Sequence, residues 1–295
     1  MKKPLQKSRI PEGRAFVIKE LIAPFFDVNW HFHAEFQLFV VLKGEGTRFI
    51  GDHIQSFQAG DMVLTGPNLP HLWRSDQAYF QSENSLETHG VVIYFPDHFL
   101  NNSVFDLEEF ALVSALLNRS ASGISITGKT QEKVKNEMKS LVKKEGLGSI
   151  IQLLEILELI AQSPDCQLIT DPSYVNLHKE SEKDRMGLVY ELVLNGFTNR
   201  ITLKDAADLC NLSESAFSRY FKSRANQSFS AFLSQVRIHQ ACKLLQEEKL
   251  NISQICFECG FFTLSNFNRQ FKEKMNQTPL EYRRKFGEYK ILEVL

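Results

Sequence analysis

Four side chains in the first quarter of the sequence could bind a metal ion or a polar ligand. His31, His33 and Glu35 alternate in the segment NWHFHAEFQ, and His71 follows in PNLPHLW. In an extended strand, alternate residues share one face, so the first three side chains would point the same way. A metal ion needs three or four correctly placed ligands, whereas a polar lining would hydrogen-bond a small molecule. The spacing alone leaves both roles open.

A second set of chemically capable residues lies in a repeat near the C-terminus. The segment SAFSRYFK at 215–222 returns as SNFNRQFK at 265–272, and each copy is followed by Asn-Gln and a hydroxyl residue. The two Phe residues of each copy are spaced i, i+4, which places them on one side of a helix. A short helix and a tight turn precede each copy, and this order is typical of a helix-turn-helix. The sequence therefore predicts two DNA-reading units.

The outward side of each second helix carries side chains that can read bases. The N-terminal part of a recognition helix faces base edges in the major groove, where Arg pairs with guanine and Asn with adenine. We expect two adjacent groove segments, about one turn of DNA apart, to be read. The residues predicted to read bases are Ser215, Ser218, Arg219, Ser265, Asn268 and Arg269.

Basic residues near the two repeats are predicted to contact phosphates, which position a protein on DNA without specifying sequence. For any single one, a solvated surface charge is an equally good interpretation. Residues 182–295 hold 17 Lys and Arg against 13 Asp and Glu, while residues 1–181 hold 17 against 22. A basic half favours a polyanionic partner, although ordinary variation between domains also explains the difference. The predicted phosphate contacts are Lys204, Lys222, Arg224, Lys272 and Lys274.

The segment from about 184 to 286 resembles the DNA-binding domain of the AraC family of bacterial transcription regulators. The resemblance rests on the doubled motif, on FLSQVRIHQACKLLQ between the copies, and on GFFTLSNFNRQFK followed by QTPLEYRRKF. The family usually has Gly after each recognition helix, where Asn226 and Asn276 stand here. Asn is the next-best residue for a left-handed helix cap, so we expect the fold to be retained.

The first hundred residues contain short segments rich in Val, Ile and Phe between turn signals, which predict a β-sandwich or barrel. Together with the HxH pair and PNLPH, they resemble the cupin barrel that is the usual sensor half of AraC-like regulators. In cupin enzymes the glutamate usually lies farther from the second His than Glu35 does here. We therefore predict effector binding, with a sugar as one suitable class, and no cofactor. The residues assigned to it are His31, His33, Glu35, His71 and Trp73, of which the first four are weaker candidates for a metal.

These observations predict an α+β protein with four segments. Residues 1–105 are assigned to a cupin-like sensor barrel and 106–165 to a helical hairpin, whose apolar SIIQLLEILELIAQ favours a homodimer interface. Residues 166–183 are assigned to a linker, and 184–295 to a DNA-binding domain with two helix-turn-helix units. We expect no membrane span and no signal peptide, hence a cytoplasmic protein.

Two functions remain open at this stage. The first is an effector-responsive transcription regulator, without enzymatic activity, whose partners are double-stranded DNA, a small molecule and a second copy of the chain, with RNA polymerase as a further candidate. The second is a metal-dependent cupin enzyme fused to a DNA-binding module. Cys256 and Cys259 form a CxxC, but no second ligand pair is nearby in sequence. We interpret both as small packing residues.

Overall fold

The structure is a computed structural model that describes residues 10–26, 29–81, 85–100, 102–171, 173–176, 183–247 and 249–292. The chain divides into two compact units, Met1–His178 and Lys179–Leu295. Within the described residues, no helix is long and apolar enough to cross a membrane.

The first unit contains two antiparallel sheets. The larger sheet has the strand order β1-β7-β2-β5-β8-β9 and the smaller β4-β3-β6. An apolar cluster that draws Phe39 from the large sheet and Ile50 and Trp73 from the small one joins the two. The strands are β1 Val17–Ala23, β2 Phe36–Lys43, β3 Gly46–Ile50, β4 His53–Phe57, β5 Met62–Thr65, β6 His71–Ser75, β7 Thr88–Phe95, β8 Ile124–Ile126 and β9 Cys166–Leu168.

Helices cover the other face of the large sheet. Alternation along β2 sends Phe36, Leu38 and Val40 to this side, where they pack in a core with Leu153 and Ile156 of the long apolar helix. Within the segment 106–165 assigned to a helical hairpin, α3 and α4 pack on each other, but α2 and the strand β8, which pairs with β5, precede them. The helices of this unit are α1 Asn102–Phe105, α2 Ala111–Arg119, α3 Gly128–Leu141 and α4 Leu147–Ala161.

The second unit is helical throughout its described residues. The predicted α+β class, with a sheet unit followed by a helical unit, is confirmed. The long α8 lies between the two predicted helix-turn-helix pairs, α6 with α7 and α9 with α10, and contacts both. The helices are α5 Lys183–Gly196, α6 Leu203–Leu209, α7 Glu214–Ala225, α8 Phe229–Glu247, α9 Ile252–Glu258, α10 Leu264–Met275 and α11 Pro279–Leu292.

Two local predictions are wrong. The segment that contains His31, His33 and Glu35 is not a regular strand, because β2 begins only at Phe36 and His31 makes an isolated bridge with His71. The predicted linker begins too early, since Cys166–Leu168 pairs with β8 and extends the large sheet. A strand of three residues is too short to show an apolar periodicity in the sequence. Residues 172 and 177–182 of that predicted linker lie outside the described residues.

Candidate nucleic-acid interface and sensor site

Each helix-turn-helix begins with side-chain caps that fix where its helices start. Thr202 and Asn251 form capping boxes at the first helices, and Ser213 and Thr263 accept the backbone N–H of the third residue of α7 and α10. Such caps satisfy backbone donors that the first turn of a helix leaves without partners. The turn between the helices holds four residues in the first helix-turn-helix pair, 210–213, and five in the second pair, 259–263. The two recognition helices are therefore built alike on slightly different turns.

The repeated phenylalanines are buried in the second unit, as the i, i+4 spacing predicts. Phe217 and Phe221 on α7, and Phe267 and Phe271 on α10, have no exposed surface. Burial of these rings fixes the rotation of each helix about its axis, so the opposite side is presented to solvent. All six residues predicted to read bases are exposed on that side, namely Ser215, Ser218, Arg219, Ser265, Asn268 and Arg269.

The five predicted phosphate contacts do not share one environment. Lys204, Lys222, Lys272 and Lys274 are exposed. Arg224 is half-buried instead, with its guanidinium 5.0 Å from the ring centre of Tyr220 and one N–H donated to Ser223 Oγ at 2.6 Å. Stacking on an aromatic face holds a guanidinium in place, so Arg224 is less available to a phosphate than the four lysines.

Both recognition helices end on an asparagine in the left-handed conformation. Asn226 and Asn276 have φ of 55°, which is a conformation that Asn tolerates and most other residues do not. We expect Asn276→Ala to destabilise the protein by about 1 kcal/mol, whereas Asn276→Gly should be neutral or stabilising. Thermal unfolding of the two variants checks the order, and a less stable Gly variant would contradict it.

In the first unit, three of the five residues assigned to the sensor site converge. The rings of His31 and His71 lie 4.4 Å apart between centres, those of His33 and His71 5.0 Å, and one ring nitrogen from each lies within 4.8 Å of the others. The backbone bridge between His31 and His71 holds two of these residues together, with N–O distances of 3.3 and 2.9 Å. His33 and His71 are buried and His31 is half-buried.

Glu35 and Trp73, the other two assigned residues, lie beside this cluster in different ways. The Glu35 carboxylate lies 3.3 Å from His33 Nδ1 and is outside the group of nitrogens. The residue that reaches the group is Gln37, whose Oε1 lies 3.3 Å from His33 Nε2 and 3.2 Å from His71 Nε2. Gln37 takes this position because β2 begins at Phe36, and the alternation of side chains along the strand turns residue 37 towards the histidines. Trp73 is 5.9 Å from the His71 ring and packs on Phe39 in the core between the sheets.

Comparison with known proteins agrees with this division of the chain. An AraC-like ligand-binding domain matches residues 15–88 and a helix-turn-helix domain matches residues 206–285. Together the two matches cover just over half of the chain, one in each unit. The chain belongs to the AraC family.

Similarity to individual AraC-family members is stronger in short segments than over the whole chain. The uncharacterized regulator YdeC of Bacillus subtilis is 34% identical over 30% of this chain and 30% of its own length. The transcriptional activator RhaS of Escherichia coli K12 is 21% identical over 92% of this chain and 94% of its own. The structure of ToxT from Vibrio cholerae is 16% identical, covers 92% of this chain and 98% of that one, and has a TM-score of 0.35.

The AraC-family unit has a further element that motif reading missed. Arg237 of α8 donates from Nε to Phe197 O and from Nη2 to Asn199 O, each at 2.8 Å, and its guanidinium lies over the ring of Phe261. It thereby ties the loop before α6 to the turn between α9 and α10. Gly260 in that turn has φ of 77°, and a Cβ on it would lie 2.3 Å from Phe197 O. The loop before the first helix-turn-helix pair thus contacts the turn of the second pair at this seam, formed by Phe197–Asn199, Arg237, Gly260 and Phe261.

The cysteines of this AraC-family unit are packing residues. Cys256 and Cys259 have no exposed surface and, with Cys242, belong to the core of the second helix-turn-helix. Burial raises the pKa of the Cys259 thiol to about 12 and that of Cys242 to about 11. A thiol with a raised pKa is a poor nucleophile and a poor metal ligand at neutral pH. The interpretation of the CxxC as part of the core agrees with this burial.

A buried charge pair that is not evident from the sequence lies between the sheets of the first unit. Arg48 is only 2% exposed, its Nε lies 3.5 Å from Asp61 Oδ1, and Asp61 accepts a hydrogen bond from Trp73 Nε1 at 3.2 Å. Burial lowers the pKa of Arg48 and raises that of Asp61, and in each case the partner's charge offsets only part of the effect. Desolvation therefore outweighs the attraction of the pair. Trp73 is fixed by this pair through its ring N–H.

Proposed function

We propose that the chain is a transcription regulator whose second unit reads double-stranded DNA and whose first unit binds a small-molecule effector. The observation that carries the proposal is the pair of equivalent recognition helices. Each is held by two fully buried phenylalanines and presents a short polar face that includes one exposed arginine. Membership of the AraC family supports both halves of the proposal.

In this function, α7 and α10 enter adjacent major-groove segments. Arg219 and Arg269 pair with guanine, Asn268 pairs with adenine, and the exposed serines contact neighbouring base edges. The four exposed lysines contact phosphates on either side and set the register. The long α8 keeps the two helix-turn-helix pairs at a fixed separation.

The sensor half of the proposal places the effector among polar side chains between the two sheets. His31, His33 and His71 form one group there, and Trp73 extends from it towards the apolar core. A small polar molecule would be held by hydrogen bonds to the imidazoles and by contact with the indole. We propose that binding shifts an equilibrium between two arrangements of the chain and acts without catalysis.

The helical hairpin is proposed as a homodimer interface, with RNA polymerase as a further partner of the DNA-bound form. Leu147 and Ile151 on α4 are 72% and 47% exposed, although Leu153, Ile156, Leu157 and Ile160 of the same helix are buried in the core. Exposed apolar side chains on one helix favour association with a second copy. DNA binding by a dimer would bring two copies of the reading unit to paired half-sites.

The proposal is tested by binding of the purified full chain to DNA from upstream of its own coding sequence, with random competitor, over a series of salt concentrations. Specific binding that weakens with salt supports it. The absence of any preference over random DNA, with and without extracts that contain effector, would contradict it.

The salt series also tests one predicted phosphate contact. We expect Lys272→Ala to reduce the slope of log affinity against log salt by about 1, with the same base preference, because one counterion fewer is released. Lys249→Ala, which removes an exposed lysine paired with Glu247, is the control and should leave the slope unchanged. An unchanged slope for Lys272→Ala would remove this residue from the interface.

A further inference from the structure

The three histidines of the sensor unit share a hydrogen-bonding arrangement that fixes their tautomers. Nδ1 of His31 lies 2.9 Å from Asn29 O, Nδ1 of His33 lies 3.0 Å from Glu35 O, and Nδ1 of His71 lies 2.8 Å from Leu69 O. A carbonyl oxygen only accepts, so each Nδ1 carries the proton when the ring is neutral. The basic lone pair of each ring is therefore on Nε2.

An outer hydrogen bond of this kind is what metal-binding imidazoles require. A ligating histidine almost always donates its other ring N–H to a carbonyl or a carboxylate, which orients the ring and makes the ligand atom more basic. His33 has both a carbonyl and a carboxylate beside its Nδ1, because the Glu35 carboxylate lies 3.3 Å from it in addition to the Glu35 carbonyl. This contact gives Glu35 a positioning role instead of the ligand role that the sequence indicated.

The Gln37 amide is the fourth polar group of the cluster. Its Oε1 lies 3.2–3.3 Å from Nε2 of both His33 and His71, and an oxygen lone pair facing two nitrogen lone pairs is repulsive. A cation among the nitrogens removes this repulsion, because it accepts lone pairs from all of these groups. Reversal of the amide, so that its NH2 group donates to both rings, also removes it. The cation also uses His31, whose ring centre lies 4.4 Å from that of His71.

We propose that His31, His33 and His71 bind one divalent transition metal ion through Nε2, with Gln37 Oε1 as a further oxygen donor. Neutral imidazole suits Zn, Fe, Ni and Cu. Bonds of about 2.1 Å in a tetrahedral site separate ligand nitrogens by about 3.4 Å. One ring nitrogen of each histidine lies within 4.8 Å of the others, so metal binding would draw the three rings together by side-chain rotation. Three histidines and a neutral amide fill a tetrahedral site, whereas an ion that takes five or six ligands would keep a coordination position for an oxygen donor of an effector. The metal site does not depend on the DNA-reading function.

The test is metal uptake by the untagged full chain after treatment with a chelator. Equilibrium dialysis against Zn²⁺, followed by elemental analysis, should give about one ion per chain, and Co²⁺ should give visible d–d absorption. His33→Ala and His71→Ala should each weaken binding by about tenfold or more. The matched control is His89→Ala, which removes a half-buried histidine of β7 that is paired with Glu20; it should bind as the wild type does.

The variant Gln37→Glu keeps the test decisive if the alanine variants fold poorly. A carboxylate in place of the amide adds a charged oxygen ligand, so we expect metal affinity to rise about tenfold or more. Binding of less than a tenth of an equivalent by both the wild type and Gln37→Glu would overturn the site in favour of the reversed amide. Equal uptake by His33→Ala, His71→Ala and the wild type would assign the metal elsewhere. DNA affinity of the same samples is measured in parallel, so a failure of the metal site is distinguished from a failure of the proposed function.

Discussion

Gly260→Ala is expected to destabilise the DNA-binding unit by about 3 kcal/mol. Two costs combine at this position. The backbone has φ of 77°, which an L-residue with a Cβ adopts at a cost of about 1–2 kcal/mol. The new methyl would also lie 2.3 Å from Phe197 O and 2.9 Å from Thr198 Cα, which are backbone atoms that cannot turn aside. The seam between the two helix-turn-helix pairs must therefore open.

The matched control for this variant is Gly13→Ala. Gly13 also has a positive φ, 80°, in a turn that the Arg14 N–H closes on Pro11 O, but a Cβ there meets no atom within 4 Å, so only the conformational cost of about 1 kcal/mol is expected. Both tryptophans, Trp30 and Trp73, lie in the sensor unit. Chemical denaturation followed by tryptophan fluorescence reports that unit, and circular dichroism adds the helices of the other. A Gly260→Ala protein no less stable than Gly13→Ala would show that the seam is not tightly packed.

Arg219→Ala and Arg269→Ala are each expected to weaken specific DNA binding by about 1–3 kcal/mol, a loss of roughly 5- to 150-fold. Each guanidinium is exposed on a recognition helix whose rotation is fixed by buried phenylalanines. Arg269 is also held by a hydrogen bond of 3.0 Å from Nη2 to Asn266 Oδ1, so less side-chain entropy is lost when it binds. Each variant should relax the base preference at its own position only.

The control for the arginine variants is Arg284→Ala, which removes the same charge from an exposed position on α11. Titration of a library of operator variants measures both affinity and base preference. A uniform loss of affinity with unchanged base preference would assign the arginine to phosphate contact. An effect confined to one of the two recognition helices would show that only that helix-turn-helix pair reads the base sequence.

The sequence predicted the parts of the fold that depend on local spacing. The Phe pairs of α7 and α10 are inward because residues i and i+4 share a helix face, and Asn226 and Asn276 adopt the left-handed caps that their positions require. Both features are properties of a few consecutive residues. The extra residue in the second turn is equally visible as a change of offset between the copies.

The features that the sequence did not predict depend on partners far along the chain. Arg237 is an ordinary arginine in a helical pattern until its acceptors, Phe197 O and Asn199 O, are brought to it. A backbone carbonyl as partner leaves no side-chain signal. The start of β2 at Phe36 instead of His31 likewise depends on the bridge to His71, forty residues away. That start point decides that Gln37, and not Glu35, meets the histidines.

The seam around Arg237 and Gly260 also makes the second unit sensitive to the helical phase of DNA. Because α8 contacts both recognition helices and the seam ties the loop before α6 to the turn before α10, a change in the angle between the recognition helices would break these contacts. One base pair inserted between the two contacted segments rotates the second by about 34° around the DNA axis, given about 10.5 base pairs per turn. The unit would then have to twist the duplex or release one segment. Selection among operators would rest on the distance between contacted bases as well as on their identity.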